Sequence, residues 1–320
     1  MGRKLQTPNV QPSGVEGFDK VLEILSDEDI SLVKPVAIVA TVDWLTLTAK
    51  TTQAKTELFK ASTEVLADVR KNGGNVKNWS FKGYNGYNAE GFRWGTRSDS
   101  DIAMLSGQDA EELWKVFLPI AENVTRVDLA VTVETSNPIP GLLEYYYEWD
   151  QETHRRSLST HRLTATLIKN NKGGQTLYVG ARCSNQLGRV YDKAAEQQMP
   201  EFIGRLWRYE VEFKRERARA VATRLVDHNH LHNQIKENIR STVFLWFDAR
   251  DVPPIFHHTG QEFSLEIEAK VQSDEISLNW LSSQVKPTVQ RLLKKGKATE
   301  VYESLGIYLD SKCDSMVNWD

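Results

Sequence analysis

The alternation of apolar and polar residues predicts two strands that each have one charged face. Successive side chains of an extended chain point to opposite faces, so residues two apart share a face. In residues 125–134 one face carries Val127, Leu129, Val131 and Val133, and the other carries Arg126, Asp128, Ala130 and Thr132. In residues 206–214 one face carries Trp207, Tyr209, Val211 and Phe213, and the other carries Arg208, Glu210, Glu212 and Lys214. Each strand therefore offers one side to a core and the other side to ionic contacts.

A third strand is predicted over residues 36–49, VAIVATVDWLTLTA, because this run is rich in β-branched residues. Its length and apolar character are typical of a central strand. Asp43 lies inside the run. A carboxylate there is costly unless it is paired, hydrogen-bonded or bound to a cation. Asp43 therefore marks either a functional position or a strand end that bends into solvent.

The remaining pattern predicts helices and short hairpins. Apolar residues recur at helical spacing in residues 51–71, 108–122, 138–153, 215–226 and 232–247. Residues 79–107 instead alternate aromatic and polar side chains around Gly and Asn, which is typical of short antiparallel strands. Their exposed aromatic residues, with Arg93 and Arg97, either form the core of a hairpin or stack on nucleic-acid bases. Further strands are predicted at residues 163–171 and 175–182 and around Tyr191. We therefore predict an α+β fold, with a central antiparallel β-sheet and helices packed on one face.

The domain organisation follows from the ends of this pattern. We predict a flexible N-terminal arm at residues 1–14, a catalytic domain at 15–250 and a helical C-terminal region at 251–320, with helix breaks at Pro287 and Gly296. No run of about 18 apolar residues occurs and the first residues lack the apolar segment of a signal peptide, so we expect a cytoplasmic protein without a membrane partner. Cys183 and Cys313 are far apart and have no metal-ligand spacing. They are predicted to be free thiols.

Composition and the usual motifs exclude several kinds of protein. The formal net charge is −3, so any nucleic-acid surface must be local. Residues 154–172 and 205–224 are rich in Lys and Arg and are either such surfaces or solvated faces. No GxGxxG, P-loop or GxSxG motif is present, which argues against a nucleotide-binding domain and a serine hydrolase. The histidines have no spacing that would place two imidazoles on one metal, and loop or cap roles are expected for His228, His230, His232, His257 and His258.

Candidate chemistry centres on Tyr191. If residues 186–193 form a strand, Arg189, Tyr191 and Lys193 share one face. A phenol has a reference pKa of about 10, and nearby cations favour its nucleophilic phenolate form. The carboxylates of Asp128, Glu210 and Glu212 are hard oxygen ligands that suit Mg²⁺ or Mn²⁺, which can polarise a phosphodiester. The alternative is an open sheet face held by cross-strand ion pairs, such as one between Arg208 and Asp128.

Several motifs in register resemble the Rep_trans family of replication initiation factors. They are VDWLTLT, RVDLAV, GQTLYVGARCSNQLGRVYDKAAEQ and LWRYEVEFK, which together span about residues 36–214. The tail SLNWLSSQVKPTVQRLLKKG is similar to the C-terminal part of phage-type members. The family contains the rolling-circle initiators of certain plasmids and filamentous phages, and its relatives act as relaxases of mobile elements.

The resemblance implies a metal-dependent nicking enzyme. Tyr191 would be the nucleophile, with Arg189 and Lys193 beside it, and would form a 5′-phosphotyrosine bond while freeing a 3′-OH primer. Asp128, Glu210 and Glu212 would hold Mg²⁺ or Mn²⁺. The family commonly has a second Asp four residues after the first, where this chain has Thr132, so Asp43 or Glu210 is expected to take that share. DNA contacts are assigned to Arg126, Arg182, Arg208 and Lys214.

The implied partners are an origin with a single-stranded or hairpin nick site, a second copy of the chain in a homodimer, and a helicase of the bacterial host. Two other functions remain open at this point. One is a relaxase that nicks the transfer origin of a mobile element by the same chemistry. The other is a DNA-binding regulator that has the fold but no catalytic activity.

Overall fold

A single ten-stranded sheet organises the first of two structural units. The computed structural model describes residues 35–148, 165–169, 174–227, 232–250, 252, 282 and 285–304. The chain divides into Met1–Ile267 and Glu268–Asp320. The predicted arm at residues 1–14, most of the basic segment 154–172 and several predicted residues lie outside the described residues, namely His228, His230, His257, His258 and Cys313.

Every neighbouring pair of strands in the sheet is antiparallel. The strands are β1 (Pro35–Ala49), β2 (Lys77–Phe81), β3 (Tyr84–Ala89), β4 (Phe92–Thr96), β5 (Asp101–Ser106), β6 (Asn123–Thr135), β7 (Ala165–Lys169), β8 (Gln175–Val179), β9 (Gln186–Asp192) and β10 (Leu206–Lys214). Their order in the sheet is β2-β3-β4-β5-β1-β6-β10-β9-β8-β7. The predicted long strand, β1, therefore lies next to β6 in the middle of the sheet.

Helices cover one face of this sheet. In the first unit this layer includes α1 (Thr52–Lys71), α2 (Gln108–Phe117), α4 (Arg215–Asp227) and α5 (His232–Asp248). The short helix α3 (Lys193–Gln197) follows β9 and borders the open face. The apolar sides of β6 and β10 pack against this layer, where Tyr209 makes edge-on ring contacts with Phe244 and Phe247 of α5. The opposite sides of the same strands carry charged residues, as the alternation predicted. The predicted α+β fold with a central antiparallel sheet is confirmed.

Two predicted helices differ from the observed ones. The helix predicted at 108–122 ends at Phe117, two residues before Pro119, because proline has no N–H to donate to the next carbonyl of the helix. Of the helix predicted at 138–153, residues 142–148 are helical and those after 148 lie outside the described residues.

Strand β1 contains a β-bulge at Asp43. Val42 pairs with Leu129 of β6, and Trp44 pairs with the neighbouring residue Asp128. Asp43 is therefore an extra residue of β1 that has no pairing partner of its own in β6. A bulge of this kind places two neighbouring residues on one face of the sheet. Val42 consequently belongs to the buried core, while Asp43 and Trp44 both face away from it. Asp43 is thus inside the strand, and the predicted alternative of a strand end bending into solvent is wrong.

The second unit contains two short helices among its described residues, α6 (Lys286–Lys294) and α7 (Ala298–Ser304). Gly296 separates them with a φ of 74°, a left-handed conformation that glycine adopts without strain. Pro287 lies in the first turn of α6, a position where the missing N–H of proline is tolerated, so the helix boundary is close to the predicted break. No helix in the described part of the chain is long and apolar enough to cross a membrane.

Candidate active site

The charged face of the sheet is open and forms the floor of a cavity of about 870 Å³. Its lining comes from the middle of the sheet and from the start of α3. Asp43 and Trp44 of β1, Asp128 of β6, Glu210 of β10 and Tyr191 of β9 all contribute. Predicted site residues that are up to 167 positions apart in the chain, as Asp43 and Glu210 are, therefore meet on one surface.

Tyr191 lies at the centre of this surface, next to a glutamate. Its strand position is opposite Arg208 of β10 on one side and Thr176 of β8 on the other. The phenol is half-buried, and its hydroxyl donates a hydrogen bond to Oε1 of Glu210 over 2.9 Å. The phenol oxygen is thus directed to a carboxylate rather than into the core.

The electrostatic environment of Tyr191 differs from the prediction. Burial and the negative charge of Glu210 raise the pKa of the phenol well above its ordinary value, and only Arg208 among the major influences lowers it. Arg189, which was expected to favour the phenolate, is instead bound to Asp128 and Glu210, at 2.9 Å from each. The free protein therefore holds Tyr191 as a neutral phenol at neutral pH.

Lys193 is not the third residue of a strand face. Strand β9 ends at Asp192, whose side chain caps α3 by accepting hydrogen bonds from the backbone of Ala194 and Ala195, at 2.9 and 3.0 Å. Lys193 is therefore the first residue of the helix and pairs with Glu196 one turn later. Its ammonium group still lies 5.8 Å from the centre of the Tyr191 ring and lines the cavity.

Asp128 organises two arginines on the floor of the cavity. Arg126 donates to it from Nε over 2.8 Å and also from a terminal nitrogen, and Arg189 donates over 2.9 Å. The aspartate is 1% exposed, and burial raises its pKa to about 6 although both guanidinium groups lower it. Asp128 is therefore ionised at neutral pH and fixes the direction of both arginines.

Arg208 is the buried counterpart of this arrangement. Its guanidinium binds Asp43, Oε1 of Glu210 over 3.0 Å and the Thr132 hydroxyl over 2.8 Å, and the residue is 6% exposed. The sheet face is thus held by ion pairs. The alternative interpretation had paired Arg208 with Asp128, whereas Arg208 binds Asp43 and Glu210. Thr132, at the position where the family commonly has aspartate, orients Arg208.

The other predicted DNA contacts are closer to the surface. Arg126 packs over the Trp44 ring at 4.6 Å and pairs with Glu212 over 2.8 Å. Lys214 pairs with Glu212 and donates to the carbonyl oxygen of Arg182 over 3.2 Å. Arg182 is exposed and lies 4.8 Å from the Tyr178 ring.

The four predicted metal ligands do not form one cluster. No group of three or more Asp, Glu, His or Cys side chains suited to a metal occurs among the described residues. All four carboxylates accept from cationic donors. Asp128 and Glu212 bind Arg126, and Asp43 and Glu210 bind Arg208. Asp43 and Glu210, however, bind the same guanidinium group of Arg208, and burial together with the negative charge of Glu210 raises the pKa of Asp43 to about 7.

The donor chemistry of this carboxyl pair fits a divalent cation. Two neighbouring carboxyl groups share a proton because their charges repel each other, and a cation can take the place of that proton. Mg²⁺ is typically bound through one or two carboxylates together with substrate phosphates. Asp43 and Glu210 therefore fit a metal that would be completed by DNA, and Asp128 and Glu212 fit the role of holding arginines.

This geometry can be compared with known proteins. A family model described as a replication initiation factor matches residues 122–305, more than half of the chain. The chain belongs to the Rep_trans family. Replication initiation is therefore the process in which this Rep_trans protein acts. The matched region contains Asp128, Tyr191 and Glu210, whereas Asp43 lies before it.

The solved structure of the rolling circle replication initiator protein from Geobacillus stearothermophilus is similar to this Rep_trans protein. The similar region covers 60% of the Rep_trans chain described here and 80% of the Geobacillus chain. The two are 25% identical and superpose with a TM-score of 0.44. A search of curated proteins finds no match.

Trp44 is a residue of the site that was not predicted from the sequence. Trp44 lines the cavity beside Asp43, and its indole donates a hydrogen bond to the Thr46 hydroxyl over 2.8 Å. Strict alternation along β1 would place Asp43 and Trp44 on opposite faces. A charged residue followed by an aromatic one within an apolar strand was the available signal for the bulge that brings them together.

Proposed function

We propose that this Rep_trans protein initiates rolling-circle replication by nicking one DNA strand at an origin, with Tyr191 as the nucleophile. The observation that carries the proposal is the Tyr191 hydroxyl itself. It faces the open cavity, 2.9 Å from a buried carboxylate oxygen and within a surface rich in guanidinium groups. This combination suits attack by a phenol on a phosphodiester.

The proposed step is an in-line displacement at phosphorus. The Tyr191 oxygen bonds to phosphorus, the bond from phosphorus to the 3′ oxygen breaks, and the phenol proton moves to Glu210. The leaving 3′ oxygen takes a proton from water and becomes the 3′-OH primer. Because the pKa of Tyr191 is raised in the free protein, proton transfer to Glu210 accompanies the attack rather than preceding it.

The arginines supply the positive charge that this step needs. Arg189 contacts both Asp128 and Glu210, so it lies between the buried aspartate and the proton acceptor. Preorganised cations stabilise charge that develops on phosphoryl oxygens, and Asp128 keeps Arg126 and Arg189 in fixed directions. A divalent metal, Mg²⁺ or Mn²⁺, held by Asp43 and Glu210 would polarise the scissile phosphate and stabilise the leaving oxygen.

The remaining expectations about partners also belong to this proposal. The target strand is unpaired or in a hairpin at the nick, since the cavity floor is an open sheet face that gives side chains access to a single strand. Family resemblance supports a homodimer, a helicase of the bacterial host and rejoining of the strand by reversal of the phosphotyrosine bond. Plasmid and phage origins are equally compatible with the site.

The test is a nicking assay on a supercoiled plasmid that carries the cognate origin, with Mn²⁺ present. We expect wild type to give an open-circular product and a covalent protein–DNA adduct, and Tyr191→Phe to give neither. Tyr209→Phe is the matched control, because Tyr209 lies on the core face of β10 and its hydroxyl contacts Tyr146 at 3.0 Å. It should lose some stability but still nick.

Two results would count against the proposal. Nicking by Tyr191→Phe at the wild-type rate would exclude this residue as the nucleophile. Wild type that binds the origin but forms no covalent adduct would indicate a DNA-binding regulator.

A further inference from the structure

The open face of the sheet continues beyond the active site towards strand β2. Trp44 lines the cavity, and the guanidinium of Arg93 in β4 lies 5.9 Å from the centre of the Trp44 ring. Arg93 therefore projects from the same face of the sheet as the site. Residues two apart in β4 share a face, so Gly95 also belongs to this open side.

Two aromatic residues lie at the far edge of the same face. A Cβ atom at Gly95 would be 3.0 Å from the Trp79 ring, so the indole lies directly over this glycine. Trp79 and Phe81, two apart in edge strand β2, are stacked with ring centres 5.8 Å apart and planes 18° apart. Phe81 is 38% exposed and Trp79 is half-buried. The pair leaves aromatic surface open to solvent, and we refer to it as the aromatic platform.

Cations surround this platform without acidic partners. Within the described part of the chain, Lys77, Lys82 and Arg93 form no ion pair, whereas the arginines of the active site all do. The Lys82 ammonium lies 5.1 Å from the centre of the Phe81 ring. Residues 77–99 contain four Lys or Arg and two Asp or Glu, in a chain whose net charge is −3. This edge is therefore locally basic and aromatic.

We propose that the edge surface formed by Lys77, Trp79, Phe81, Lys82 and Arg93 binds the single-stranded DNA that flanks the nick. The proposal rests on the proposed nicking function and extends it to the path of the substrate. Bases would stack on the Trp79–Phe81 platform, and the three cations would contact phosphates. Base stacking on aromatic side chains combined with a basic track is the usual way in which proteins hold single strands.

The distance from the site suits a short stretch of DNA. Strands β5, β4 and β3 separate β1 from β2, so the edge surface lies four strand spacings, or about 19 Å, from Asp43 and Trp44. Arg93 lies between the two and links them. A duplex is a poorer fit, because its bases are stacked on each other and are not available to an aromatic platform.

The experiment measures binding apart from cleavage. Fluorescence anisotropy with a labelled oligothymidylate of about 16 nucleotides, in EDTA, gives the affinity of the full chain for a single strand. We expect Phe81→Ala to weaken binding by about 5-fold to 160-fold. Lys77→Ala/Lys82→Ala should lower the dependence of log affinity on log salt by about 0.7 for each lost phosphate contact. Phe59→Ala is the control, since Phe59 is 49% exposed on α1 and contacts Trp94 of the core.

A second measurement maps the contact directly. Photo-crosslinking of an oligonucleotide containing 5-iododeoxyuridine, followed by mass spectrometry, should modify residues within 77–82. Wild-type affinity in Phe81→Ala, or crosslinks confined to other segments, would overturn the inference.

Nicking is measured separately with the same variants. If the wild-type protein nicks and Phe81→Ala keeps full affinity for the oligonucleotide, only the proposed role of the edge surface is refuted. If the wild-type protein crosslinks through residues 77–82 but does not nick the plasmid, only the catalytic proposal is refuted.

Discussion

Replacing Asp128 by asparagine separates two roles of this carboxylate, that of an organiser of arginines and that of a metal ligand. The substitution keeps the shape of the side chain but removes its charge and one acceptor oxygen. The new side-chain amide would present N–H donors to guanidinium donors. The remaining amide oxygen can keep at most two of the three hydrogen bonds with Arg126 and Arg189, and both arginines lose an ionic partner.

The magnitude follows from burial. Removing one partner of a buried ion pair costs about 3–5 kcal/mol, because the other charge is left without compensation. Asp128 is 1% exposed, but the side chains of Arg126 and Arg189 are 27% and 26% exposed and each retains a second carboxylate. These features favour the lower end, so we expect a loss of about 3 kcal/mol in the free energy of unfolding. A domain with a stability of about 5–15 kcal/mol remains folded after such a loss.

The assay is urea unfolding followed by circular dichroism, without divalent metal and again with Mn²⁺. Glu212→Gln is the matched control, since Glu212 is the ladder partner of Asp128 and also pairs with Arg126. It should cost roughly 1 kcal/mol, because Arg126 keeps Asp128 and Lys214 is partly exposed. If Asp128→Asn unfolds like wild type without metal and loses only the stabilisation by Mn²⁺, Asp128 is a metal ligand and our interpretation of it is wrong.

Two further predictions concern β1 and β9. Asp43→Asn keeps a side-chain acceptor for Arg208 but loses the negative charge. We therefore expect weaker Mn²⁺ binding in isothermal titration calorimetry and a higher Mn²⁺ concentration for half-maximal nicking. An unchanged Mn²⁺ affinity would place the metal elsewhere. Gly188→Ala introduces a Cβ that would overlap the Trp246 ring and lie 2.8 Å from Phe247, so the free energy of unfolding should fall by about 1–3 kcal/mol while the folded fraction still nicks. An unaltered urea midpoint would show that α5 adapts to the added methyl group.

The sequence was sufficient to predict the parts of the fold that depend on alternation. The charged and apolar faces of β6 and β10 follow directly from a period of two, which is why Asp128 and Glu210 were correctly placed on one side. The hairpin region between α1 and α2 was predicted from its Gly and Asn spacing. The order of ten strands is a property of long-range pairing and had no signal in the sequence.

The chemistry of the site was harder to predict, because it depends on which charges touch. Arg189 was expected to act on the phenol of Tyr191, but two carboxylates that are distant in sequence bind its guanidinium instead. Lys193 was assigned to a strand face because the helix cap formed by Asp192 was not recognised. Regular alternation could be read from the sequence, whereas bulges, caps and competing ion pairs required the coordinates.

The bulge in β1 has a consequence for how this site can change over time. Asp43 is an insertion between Val42 and Trp44, each of which has its own partner in β6. Deleting the single codon for Asp43 would make the pairing of Val42 and Trp44 with β6 consecutive, while the other two register shifts between these strands would remain. An acidic group of the proposed reaction can thus be lost or regained in one genetic step, with the scaffold preserved in both cases.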